Sequence, residues 1–241
     1  MDIISTQEGL LFLLRWFHFM AGIAWIGLLY YFNFVQVPFF GETEAPVRTA
    51  AISKLVPRAL WWFRWSAMVT FVVGWIILLV KAGQAGPEFL NNSYGWAITL
   101  GGTLGSIMWA NVWFVIWPNQ KVVIASAQGV LAGQPPLPDA AARGRRALLA
   151  SRTNVVFSIP MLFFMAAASH FSGLAPNLQS NGKFFLTLFC AAIIAGIELN
   201  ALSGAQGPTK KPLDSVPAVI HTGFILTIVF FLVFKIAGSL A

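Results

Sequence analysis

Six long apolar stretches, separated by short connections that hold most of the charge, run the length of the chain: residues 9–38, 60–80, 94–117, 155–171, 184–205 and 216–236. A bilayer core takes about 20 apolar residues per helix, so each stretch predicts a transmembrane helix. Between the first two, residues 42–56 mix polar and apolar positions and predict a short amphipathic helix at the interface. Residues 119–131 predict a second such helix, carrying the third span out of the membrane. The Gly-Gln-Pro-Pro-Leu-Pro run at 133–138 then breaks it, because consecutive prolines supply no helix donors. The first stretch follows Asp2 and Glu8 rather than basic residues, and no small-residue cleavage site succeeds it, so it is expected to be a span and not a signal peptide. No internal repeat is evident. The expectation is an all-α, polytopic integral membrane bundle of about six helices, forming one domain over residues 1–241.

Composition agrees with the pattern. The chain is 58% hydrophobic and only 10% charged, against about 25% charged in soluble domains; water-facing surface cannot be built from so few polar groups. A single cysteine, Cys190, leaves no internal disulfide, no Cys-x-x-Cys zinc site and no Cys-x-x-Cys-His attachment for covalent haem c. The net charge of +7 has a topological explanation, so no nucleic-acid partner is expected. Arg48, Lys54 and Arg58 lie in the first connection, Lys121, Arg143, Arg145, Arg146 and Arg152 in the third, and Lys210 and Lys211 in the fifth. The other side holds Lys81, Lys183 and Lys235, each close to a span end. Odd connections are therefore expected in the cytoplasm and both termini outside.

Candidate chemistry comes from polar groups inside the spans. Of the three histidines, His18 lies about 13 Å below the outer end of the first span at 1.5 Å per residue, and His170 closes the fourth span on that same side. An imidazole in hydrocarbon needs a partner. His18 and His170 could hold a b-type haem iron between two helices, with Gly22 leaving a notch for the ring; the competing reading is helix packing. His221 opens the sixth span near the cytoplasmic side.

The inner half carries a second polar group: Asn33, Arg64, Asn111, Asn154, Glu198, Asn200 and His221. Glu198 is expected to pair with Arg64 or His221, since an intramembrane charge needs compensation. Two readings stay open. One is a polar network that locks the helices together. The other is a pocket for a planar anion, in which Asn33, Asn111 and Asn154 contact the ligand, Arg64 balances its charge, and Glu198 or His221 moves protons. Gly101 and Gly105 form a small-xxx-small pair that predicts close helix packing.

RWFHFMAGIAWIGLLYYFNFVQVPF (Arg15 to Phe39), WWFRWSAMVTFVVGW (Trp61 to Trp75), WANVWFVIWPNQKVV (Trp109 to Val123), SRTNVVFSIPMLFFMAAASH (Ser151 to His170) and IELNAL (Ile197 to Leu202) resemble, in order, stretches of the membrane-bound bacterial urate hydroxylases, in what is called their urate oxidase N-terminal domain. The resemblance implies oxidation of urate to 5-hydroxyisourate in a bacterial inner membrane, with electrons reaching the respiratory chain through a cytochrome c domain outside the cytoplasm. The sequence has no Cys-x-x-Cys-His, so a separate cytochrome c is the expected acceptor. The alternatives are a non-catalytic, haem-bearing or structural subunit of a larger membrane complex, and a small-solute transporter; the lack of repeats and of paired glycine-broken helices argues against transport.

Overall fold

The computed structural model describes residues 3–174 and 178–240 and contains six helices long and apolar enough to cross a membrane. The first runs as α1 (Gln7–Tyr30), a π turn (Tyr31–Gln36) and α2 (Val37–Glu42). The amphipathic α3 (Ala45–Lys54) then leads into α4 (Val56–Ala85), the second span. The third is built likewise from α5 (Ser93–Ala110), a second π turn (Asn111–Ile116) and α6 (Trp117–Leu131). The last three are α7 (Ala140–His170), α8 (Ser180–Leu202) and α9 (Val216–Ser239). The predicted elements are all present. The fourth span starts well before residue 155, because its alanine- and leucine-rich first turns keep the helix going past the apolar stretch.

Both π turns have the same cause. Pro38 and Pro118 each stand two residues beyond the last residue of the turn, where a ring replaces an N–H and crowds the carbonyl four residues back. The helix widens by a residue, and the Val37 and Trp117 amides reach back to Phe32 and Val112, five residues upstream.

α7 is the axis of the bundle: 67% of its spanning window is buried inside the protein, against 17% for the first and second spans. It packs on α5, α6, α8 and α9, whereas α1 and α4 form a hairpin at the edge. Small residues set the close approaches. A Cβ on Gly101 would stand 2.8 Å from Met165 Cγ, and one on Gly182 would overlap the Ala237 carbonyl. Side-chain caps define the helix starts, with Thr6 Oγ1, Asn92 Oδ1 and Ser215 Oγ accepting from the amides of Gly9, Gly95 and Ala218.

The connection between α8 and α9 is latched rather than loose. Lys210 is only 2% exposed, and its ammonium donates to the Ser203 carbonyl (2.8 Å) and Asn200 Oδ1 (3.3 Å). Arg152 donates to the Leu213 carbonyl, and Arg145 reaches Asp214 at 2.7 Å. Burial, reinforced by the Arg145 guanidinium, lowers the Lys210 pKa from its ordinary 10.5. The native state thus binds this proton less readily than the unfolded chain does, so stability gains as pH rises from the lowered native value to about 10.5. The unfolding midpoint of the wild type should accordingly gain on that of Lys210→Met as pH is raised towards about 10.5; a constant difference over that approach would contradict the assignment.

Candidate functional site

One face of α7 carries Ser151, Asn154 and Ser158 at helical spacing, and all three are buried. Each meets a polar side chain from the first or third span. Asn33 Nδ2 donates to Ser151 Oγ (2.8 Å) and to the Leu29 carbonyl (2.8 Å). Asn154 Oδ1 accepts from Asn111 Nδ2 (2.9 Å), while Asn154 Nδ2 donates to the Met108 carbonyl (2.9 Å). Ser158 Oγ donates to Val155 and therefore receives the Tyr30 hydroxyl at 2.9 Å. Asn33 and Asn111 both sit in the π turns, and the carbonyls of Leu29 and Met108 lie just before those turns. The asparagine amides thus satisfy backbone acceptors where the regular ladder is disturbed.

Glu198 joins this column from α8, accepting from Asn111 Nδ2 at 3.1 Å. Asn111, Asn154 and Glu198 therefore meet. The rest of the expected inner group does not. Arg64 neither pairs with Glu198 nor faces the column: its guanidinium lies over Trp117, 3.5 Å from the ring centroid, and its Nε donates to the Leu60 carbonyl. His221 is exposed on α9, and Asn200 is engaged by the fifth connection through Thr209 and Lys210.

The outer histidines are also apart. His18 turns into the α1–α4 seam, where Nδ1 donates to the Thr70 carbonyl at 3.0 Å and the ring occupies the space left by Gly74. His170 is exposed at the last position of α7. The Thr70 bond leaves Nε2 of His18 with a lone pair, a tautomer suited to a metal, yet nothing brings a second imidazole opposite it. His18 is thus used for a main-chain contact and His170 faces outward, and no contact joins the two imidazoles among the described residues. Among the described residues no group of three or more His, Cys, Asp or Glu could hold a metal ion.

A cavity of about 500 Å³ opens beside Asn33 at the Arg- and Lys-rich end of the bundle. Its polar wall is Asn33, Gln36, Arg48, Gln120 and Ser151, and its aromatic wall is Phe32, Phe40 and Phe63. α3 closes it by folding back along α6 and bringing Arg48 to the rim, where Nη1 donates to the Phe40 carbonyl at 3.2 Å. Asn33 Oδ1 and Gln36 Oε1 are buried without a partner. Two orphaned amide oxygens beside one cavity are a demand for N–H donors. Gln36, Arg48, Gln120 and Ser151 were not singled out in the sequence. The signal available for Gln36 was Pro38, which places a widened turn on the residues just before it.

Comparison with curated proteins and with solved structures found no match. The family model described as "Urate oxidase N-terminal" matches residues 93–229. That stretch runs from the start of α5 into α9 and contains Asn111, Asn154 and Glu198, while the cavity's Asn33, Gln36 and Arg48 precede it. Since the match covers more than half of the sequence, the chain belongs to the urate oxidase N-terminal family.

Proposed function

We propose that the chain is a membrane-embedded oxidoreductase that hydroxylates urate to 5-hydroxyisourate, with the cavity beside Asn33 as its substrate site. The observation that carries this reading is the pair of unpartnered amide oxygens, Asn33 Oδ1 and Gln36 Oε1, buried beside a cavity with Arg48 at its rim. An oxopurine anion is flat, rich in N–H donors and negatively charged. After a turn of the two amides, whose oxygens show almost no surface to the cavity, its N–H groups would satisfy them, Arg48 would balance the charge, and Phe32, Phe40 and Phe63 would pack against the ring. The volume suits a small ligand with room for a water molecule.

In the overall change, water supplies an oxygen that bonds to C5 of the ring, and two electrons and two protons leave. Glu198, held by Asn111 and placed along the same column as Asn33, is assigned as the proton acceptor. The electrons pass to a one-electron carrier, a cytochrome c or another respiratory component; no step is assigned to His18, His170, Arg64 or His221. The Lys and Arg bias supports a cytoplasmic mouth for the cavity and outward termini, in a bacterial inner membrane.

Titration of the purified protein with urate, followed by turnover with ferricyanide as acceptor, tests the assignment. Arg48→Ala and Asn33→Ala should each weaken urate binding by about tenfold or more, the loss of one hydrogen bond to a charged ligand. Glu198→Gln should retain binding and lose most turnover. Absence of urate binding to the wild type would overturn the site; binding with no turnover under any acceptor would make the chain a non-catalytic subunit.

A further inference from the structure

We infer that the opposite end of the bundle carries a second ligand site, selective for a small oxyanion (a carboxylate or a phosphate). A cavity of about 420 Å³ opens there between four helices. Arg15 comes to it from α1, Lys81 and Gln84 from α4, Tyr94 from α5 and Ser169 from α7.

The basic residues at this end behave in two ways. Lys183 donates to Asn91 Oδ1 at 2.6 Å, and Lys235 donates to the Gly173 carbonyl at 3.0 Å beside the Phe171 and Phe231 rings. Both are used by the fold. Arg15 and Lys81 make no hydrogen bond or ion pair among the described residues, and both line the cavity. The two ion pairs found among the described residues, Arg143–Asp139 and Arg145–Asp214, lie at the other end. Of the acids at this end, Glu8 stands in the first turn of α1 and Glu88 Oε1 accepts from Asn91 Nδ2, and neither is part of the wall. Asn92 is likewise committed, as its amide caps α5 through Gly95 and bonds the Glu88 carbonyl.

What remains is a wall of donors: a guanidinium, an ammonium, the Tyr94 phenol, the Gln84 amide and the Ser169 hydroxyl. Like charges converging without an acid repel one another, an arrangement that an anion relieves. The cavity is also where α5 begins, so the positive end of an 18-residue helix adds to the same field. This site shares no residue with the urate cavity and does not depend on its assignment.

The test is thermal unfolding of the purified protein titrated with inorganic phosphate and, separately, with succinate, in lipid-free detergent. A parallel series uses nanodiscs of phosphatidylcholine with and without phosphatidylglycerol. Binding to the native state raises the midpoint, and Arg15→Gln and Lys81→Gln should each reduce the apparent affinity at least tenfold while Arg48→Ala leaves it unchanged. A shift in detergent identifies a free oxyanion; a shift only with phosphatidylglycerol identifies a lipid headgroup. Equal shifts in wild type and both variants, or none in either series, would overturn the proposal. Because Arg15 and Lys81 stand apart from the buried core, an unliganded unfolding midpoint close to that of the wild type serves as the control for a folded protein in both variants.

Discussion

Asn154→Ala should destabilise the bundle by about 3 kcal/mol, the largest loss expected from any single polar side chain in it. Asn154 is fully buried on the central helix and works in both directions, accepting from Asn111 and donating to the Met108 carbonyl. A hydrogen bond between membrane helices contributes about 0.6 kcal/mol on average and up to about 1.7. The larger effect comes from what truncation leaves behind: the Met108 carbonyl loses its side-chain donor beside a π turn, and one partner of the Asn111 amide disappears. Neither group is left bare, since the Met108 carbonyl still accepts from the Asn111 main-chain amide and the Asn111 side chain still donates to Glu198, so each loss is set at about 1–1.5 kcal/mol, the lower part of the penalty for an unsatisfied group. Unfolding followed by tryptophan fluorescence in a denaturing detergent would measure the change. Asn111→Ala and the double variant complete a cycle, in which strong non-additivity is expected because the two amides share one bond. A loss below about 0.5 kcal/mol would mean that water or neighbouring helices replace the pair.

The fold was largely legible because a bilayer imposes a length on every span. The same argument conveys depth but no azimuth, and the site divides along that line. Asn111, Asn154 and Glu198 have a common depth, and they also share a direction, towards the column on α7. Arg64 has a comparable depth and a different direction: it lies over Trp117, in a seam that hydropathy does not distinguish from any other. His18 illustrates the same gap, since its partner is a main-chain carbonyl on α4, and main-chain acceptors leave no mark on a sequence. The cavity beside Asn33 was hidden for a third reason. It exists because α3 folds back on α6 and because two prolines widen the helices beside it, and both are tertiary facts. Of these causes only the prolines are visible in the sequence.

Those prolines support the second large prediction. Pro38→Ala should weaken urate binding by about tenfold or more, comparable to deleting a hydrogen bond to the ligand, although Pro38 does not line the cavity. With alanine, position 38 regains an amide donor for the Phe34 carbonyl, and the strain that widened the turn disappears. If the segment then closes into a regular α-helix, everything on one side of it rotates by about 100° relative to the other. Asn33 and Gln36 lie within the turn, so their amide oxygens would leave the cavity wall while Arg48, beyond the next connection, keeps the charge in place. The signature is therefore specific: helix content and expression preserved, affinity lost, and residual binding still sensitive to Arg48→Ala. Pro118→Ala is the companion variant: its turn presents Asn111 to Asn154 and Glu198, and the helix beyond it carries Gln120 of the cavity wall, so it should lower turnover together with affinity. Wild-type affinity in Pro38→Ala would show that Asn33, bonded to Leu29 and Ser151, holds the widened turn without the proline.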